Sequence, residues 1–176
     1  MKIWKKISSK KVYEGFRFSV FEDDVIRPDG SRGKYKFLKQ IPGVVVVPFD
    51  GTKIYLVNQY RYPHQRRSWE LPAGGAESNS YLSEAKKELA EETGISAKKW
   101  KYLGQFAPSS GSNNRLGKIF LAERLHFGRA KLEPSESDMF MKAFSLKQID
   151  SMVQKNEIMD GWTIVSLYKF KLFFNL

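Results

Sequence analysis

Cysteine is absent from the 176-residue chain, and histidine occurs only at His64 and His126. The first absence excludes disulfides, thiolate zinc sites and cysteine nucleophiles; the second argues against a histidine-built metal centre. No apolar run reaches the roughly 18 residues that a membrane-spanning helix requires. The most apolar tail, Trp162 to Leu176, is interrupted by Lys169 and Lys171. It reads as a terminal helix covering a sheet, with an interfacial amphipathic helix as the alternative. The basic start, Met1 to Lys6, has no apolar stretch behind it of the kind a secretory signal needs. A soluble, cytoplasmic protein with no membrane partner is expected.

Acidic residues are also scarce: 19 Asp and Glu face 30 Lys and Arg, for a formal charge of +11. That balance favours anionic partners such as nucleotide phosphates or nucleic acid. Hydrophobic residues make up 41% of the chain and aromatics 14%, enough for a real core and against disorder. The charge is uneven, with 11 Lys and Arg against 5 Asp and Glu in residues 1–40. That segment carries a strand pattern at Val12 to Val20, Asp23 to Arg27 and Lys34 to Gln40, with a turn at Pro28-Asp-Gly30. It predicts a small antiparallel unit over 1–40, joined to a main body over 41–176.

The main body opens on Gly43-Val-Val-Val-Val-Pro-Phe49, a run suited to a strand buried on both faces. Asp50-Gly51 signals a turn before a second strand, Lys53 to Tyr60. Further strands are expected at Trp100 to Phe106, Leu116 to Glu123 and Met139 to Phe144. A helix is expected from Ser80, as N-cap, to Thr93, with Gly94 as a left-handed C-cap. Ser145-Leu-Lys-Gln148 reads as a capping box opening a second helix to about Lys155, and Asp160 caps a third. The fold class is α/β, a sandwich around a mixed sheet.

Chemistry concentrates at Glu84 to Gly94. On a helix, Glu88, Glu91 and Glu92 project from one arc, while Leu82, Ala85 and Leu89 lie on another at core spacing. Such an acidic arc is either a solvated face or a set of hard oxygen ligands of the kind Mg²⁺ or Mn²⁺ takes. Its occurrence in a strongly basic chain brings the second level with the first.

Lys87-Glu-Leu-Ala-Glu-Glu-Thr-Gly-Ile95 resembles the second half of the Nudix box. Asn58-Gln-Tyr-Arg-Tyr-Pro63 and Trp69-Glu-Leu-Pro-Ala-Gly-Gly75 look like the segments preceding that box in ADP-ribose pyrophosphatases and nucleoside-diphosphate-sugar hydrolases. Val12-Tyr-Glu14 with Arg27-Pro-Asp-Gly30 resembles their N-terminal domain, and Glu157-Ile-Met-Asp160 with Trp162-Thr-Ile164 their last helix entry. There are two departures. The first-half Glu of the box falls at Asn79 and its Arg at Lys87, and the loop between Gly75 and Ser80 is one residue short.

The resemblance implies a Nudix α/β/α sandwich with a small N-terminal antiparallel β unit, forming a homodimer through residues 1–40. It implies metal-dependent hydrolysis of a pyrophosphate bond in ADP-ribose or a related nucleoside-diphosphate sugar, with Mg²⁺ or Mn²⁺ as cofactor. Glu88, Glu91 and Glu92 would hold the ions, helped by the Ala73 carbonyl. Glu91 would share the catalytic work with a base on the Glu133-Pro-Ser-Glu-Ser-Asp138 loop, where Glu136 is preferred over Glu133 and Asp138. Arg61 matches a position contacting phosphate or ribose, and Glu70 one near the terminal sugar; the plain alternatives are a surface ion pair and a strand-end charge. Phe16 and Phe18 are candidates to stack on the base, with apolar packing favoured for at least one of them, and Ser110 and Gly111 lie either in a loop at the site rim or in an ordinary loop. His64 reads as an incidental loop residue. Two other functions compete: a Nudix enzyme acting on RNA 5′ ends or nucleoside triphosphates, and a catalytically weak nucleotide-binding module. Scattered basic residues without interleaved aromatics argue against nucleic acid.

Overall fold

The hydrophobic pattern of residues 43–48 determines the centre of the molecule. In the computed structural model, which describes residues 2–176, Gly43–Pro48 (β4) is buried at every position. Side chains alternate across a strand, so successive valines face opposite ways. Val45 and Val47 join Ile54, Leu56, Leu71, Ile119, Leu121, Ile149, Leu167 and Phe170 in one core. Val44 and Val46 join Ala85, Leu89, Ile95, Phe120 and Ala122 in the other. Each buried valine contributes on the order of 1.5–3 kcal/mol.

Two compact units divide the chain: Met1–Pro42 with Ala107–Leu116, and Gly43–Phe106 with Gly117–Leu176. In the first, β1 (Lys5–Glu14), β2 (Phe18–Ile26) and β3 (Arg32–Gln40) form an antiparallel sheet in chain order. The expected strand over Val12 to Val20 is interrupted, because the chain reverses at Gly15, whose N–H donates to the Phe18 carbonyl at 2.9 Å. Phe18 to Val20 belongs instead with Asp23 in the single strand β2. The Pro28-Asp-Gly30 turn forms as expected, with Gly30 at φ 92° and the Ser31 N–H donating to Asp29 at 2.9 Å. The 107–116 segment is tied to β3. The Leu38 N–H donates to the Ser112 carbonyl at 2.8 Å, and the Tyr35 hydroxyl to the Gly111 carbonyl at 2.6 Å.

In the second unit a four-stranded sheet runs β7 (Ala73–Gly75), β4, β9 (Gly117–Phe127), β8 (Ile95–Phe106), with β4 and β9 parallel and the other pairs antiparallel. A separate antiparallel sheet orders β10 (Phe140–Ser145), β5 (Lys53–Arg61), β6 (Arg66–Glu70). Helix α1 (Tyr81–Thr93) supplies one core, and α2 (Leu146–Gln154) and α3 (Gly161–Phe174) supply the other, so the expected α/β/α layering holds. No helix among the described residues is long and apolar enough to cross a membrane.

The caps follow the local sequence. Ser145 and Gln148 form the reciprocal box, and the Thr163 N–H donates to Asp160 at 2.8 Å. Gly94 takes φ 71°, and a Cβ there would stand 2.5 Å from the Gly128 carbonyl oxygen. Two expectations need correction. Ser80 occupies the N-cap of α1, but its side chain makes no capping bond. Leu82 is 39% exposed, and Tyr81 packs in its place. Tyr81, Ala85 and Leu89 are spaced by four residues and share the inward face, whereas Leu82 sits about 100° away.

Candidate active site

Helix α1 lies against β7 and turns its acidic arc toward that strand. Glu92, at 7% exposure, is the most buried of the three acids, and one of its oxygens accepts the Ala73 N–H at 3.2 Å. Glu88 lies against Gly74, and an added Cβ there would stand 2.1 Å from its carboxyl carbon. Glu91 is more open and forms a 3.9 Å ion pair with Lys87.

Glu88 and Glu92 are expensive to ionise where they stand. Burial, followed by the neighbouring charge of Glu91, pushes Glu88 up to about 7, with Glu136 and Glu84 adding to the effect and Lys87 opposing it. Burial raises Glu92 well above the carboxylate range, reinforced by Glu136 and Glu88, while the Ala73 N–H and Arg61 oppose it. Glu136, in a short 3-10 turn over Pro134–Glu136, therefore acts on both helix acids from a separate part of the chain. Among the described residues, no three acidic or imidazole groups converge closely enough to hold an ion as placed. The donor chemistry nevertheless fits a hard divalent cation. Carboxyl oxygens that repel one another in a low-dielectric pocket gain most from a cation between them.

The three acids of the 133–138 loop have different surroundings. Asp138 is held by Arg67 at 2.6 Å. The Glu133 carbonyl accepts the Glu136 N–H at 2.9 Å, closing the turn. The Glu136 charge acts on Glu88 and Glu92. The sequence expectation preferred Glu136, with Glu133 and Asp138 as competitors on the same loop.

Arg61, at the end of β5, donates from Nε and Nη2 to Glu70 on β6, the shortest contact being 2.5 Å. Glu70 is 4% exposed and the Arg61 side chain is partly open, so the forked ion pair holds the guanidinium from a buried carboxylate. The Glu70 hydrogen bond, opposed by burial, raises Arg61 above its ordinary value, and Asp160 and Glu92 add their charge. Phe16, Phe18, Ser110 and Gly111 belong to the first unit. Phe16 is 96% exposed beneath the Arg17 guanidinium, and Phe18 lies 5.6 Å from the Tyr13 ring. His64 is exposed in a short 3-10 segment.

One supporting contact was missed. The Glu84 carboxylate accepts the Ser78 N–H at 3.1 Å and ties the 75–80 loop to α1. Its signal was a Glu four residues after Ser80, in the first helical turn. The Asn79 and Lys87 positions thus leave the loop braced by another residue.

Residues 39–162 match the NUDIX domain. The chain belongs to this family. In front of its Nudix domain, residues 4–38 match the nucleoside diphosphate sugar hydrolase N-terminal domain. The Nudix chain is 32% identical to an ADP-ribose pyrophosphatase of Bacillus subtilis (strain 168), over 96% of its own length and 92% of the relative's. It is 30% identical to an ADP-ribose pyrophosphatase of Mycobacterium tuberculosis (strain ATCC 25618 / H37Rv), covering 92% and 80%. A methanol dehydrogenase activator of Bacillus methanolicus is 26% identical, covering 96% and 92%. The crystal structure of an ADP compounds hydrolase has the same fold, with a TM-score of 0.87 at 15% identity, over 99% of this chain and 96% of that one.

Proposed function

We propose that this Nudix chain is a cytoplasmic enzyme that hydrolyses the pyrophosphate bond of ADP-ribose or a related nucleoside-diphosphate sugar. The products are a nucleoside monophosphate and a sugar phosphate. The observation that carries the chemistry is the gathering of Glu88 and Glu92 on α1 with Glu136 from a distant turn, whose charge raises the cost of ionising both helix acids. The match of residues 4–38 supports the substrate class.

Glu88, Glu91 and Glu92, with the Ala73 carbonyl, would hold a divalent cation, Mg²⁺ or Mn²⁺. When bound, such an ion neutralises phosphoryl oxygens and lowers the pKa of water. Glu136 accepts the proton of the attacking water. Arg61 contacts phosphate or ribose while the buried Glu70 aims its guanidinium; Glu70 also lies near the terminal sugar. Phe16 and Phe18 stack on the base, and Ser110 and Gly111 line the rim.

Residues 1–40 serve as the dimerisation unit and 41–176 as the hydrolase domain. Every position of β1 is exposed, including Ile7, Val12 and Tyr13, which supports a second copy of this chain as partner.

A panel of ADP-ribose, ADP-glucose, GDP-mannose, UDP-glucose and triphosphorylated RNA, each with Mg²⁺ and Mn²⁺, tests the reading. AMP and ribose 5-phosphate from ADP-ribose are expected. Pyrophosphate release from RNA alone, or no turnover of any substrate, would overturn it.

A further inference from the structure

Arg67, on β6, is bonded on two sides. Its Nε donates to the Asn58 side-chain oxygen and Nη2 to the Asn58 carbonyl at 3.2 Å. On the other side, Nη1 donates to the Asp138 carboxylate at 2.6 Å and Nη2 to the Asp138 carbonyl at 2.7 Å. The guanidinium also lies 5.4 Å from the centre of the Phe140 ring. Asn58 is a buried residue of β5, so one side of the contact is anchored in the sheet. The other side is the end of the turn carrying Glu136. That turn is closed by the Met139 N–H donating to the Glu136 carbonyl at 2.8 Å.

Exposed ion pairs usually contribute little, and Arg67 and Asp138 are both partly exposed. This one differs because a single planar fork spans strand and turn and uses a backbone carbonyl on each side, a geometry lysine cannot reproduce. The turn that it ties to the sheet is the one that carries Glu136.

We infer that Arg67 is a positioning residue that sets the reach of Glu136 by clamping Asp138 to Asn58. This rests on the assignment of Glu136 as the base. Arg67 touches neither the metal-binding acids nor the proposed phosphate contact, so its loss acts on proton transfer and leaves binding alone.

The test uses the full chain with ADP-ribose and Mg²⁺. Arg67→Met keeps the apolar stem over Phe140 and removes the donors. Its kcat should fall by about 10–100-fold, the range for a misplaced catalytic group, with KM and the Mg²⁺ half-saturation held within about threefold. Arg67→Lys should recover only part of the loss. Asp138→Asn, which keeps the backbone carbonyl contact, should lower kcat by a smaller factor. In a Glu136→Gln background, Arg67→Met should cost less than about twofold more, because the group it positions has gone. Full kcat in Arg67→Met beside an inactive Glu136→Gln would overturn this inference alone. An equal further loss in the Glu136→Gln background would also overturn it. Full kcat in Glu136→Gln would remove the base assignment, and the inference with it.

Discussion

The Glu88 carboxyl group fills the space that a side chain at Gly74 would need: an added Cβ would stand 2.1 Å from its carboxyl carbon. Gly74 has no positive φ, so the requirement here is room rather than backbone conformation. Gly74→Ala should therefore push the flexible end of Glu88 aside at little cost in stability. The apparent Mg²⁺ affinity should fall by about tenfold or more, as when a ligand's support is removed. A metal titration of activity beside a thermal melt checks both halves.

Glu92→Gln and Glu88→Gln keep side-chain shape and remove charge. Turnover should fall by about 100-fold or more in each. Without metal, thermal stability should stay level or rise, because a buried carboxylate and its repulsion by neighbours are relieved. Unchanged turnover in both variants would exclude α1 as the metal site.

Asp50 provides a pH test remote from these acids. Burial opposes its ionisation, but the backbone N–H groups of Lys53 and Thr52 and the hydroxyls of Tyr55 and Thr52 hold it at about 2. A folded-state value below the unfolded 3.8 stabilises the fold above about pH 4, and the gain disappears as pH falls toward 2. Because Asp50 is exposed, the gain is about 1 kcal/mol after screening. The urea-unfolding difference between the native chain and Asp50→Asn should be full at pH 7 and shrink steadily below pH 4. A difference that grows on acidification would refute the assignment.

Strand β1 exposes Ile7 at 54% and Val12 at 47%. Light scattering at micromolar concentration should report a homodimer, and Ile7→Lys with Val12→Lys should shift it toward monomer. A fully active native monomer would defeat the proposed role of residues 1–40.

Restoring the family pair with Asn79→Glu and Lys87→Arg should change kcat only a few-fold, because Glu84 already ties the loop at Ser78. A native chain inert on every substrate, switched on by the double change, would instead place the protein among binding modules.

Local chemistry was legible in the sequence wherever one element decides its own form. The valine run of β4, the left-handed turn at Gly94, the Ser145 box, the Asp160 cap and the acidic arc of α1 all follow from spacing and side-chain type within a few residues. Tertiary structure decided what depends on distant partners. β6 contains two arginines and a serine, and it is a strand because β5 offers it a register, with Asn58 opposite Trp69. Arg61 and Glu70 were read as separate contacts, and pairing of the two strands makes them one ion pair. Asp138 is tied to the sheet only because the fold brings Arg67, 71 residues away in the chain, within hydrogen-bonding reach. Periodicity and capping report a residue's own turn or strand, whereas the fate of a charge depends on which partner the fold brings within reach.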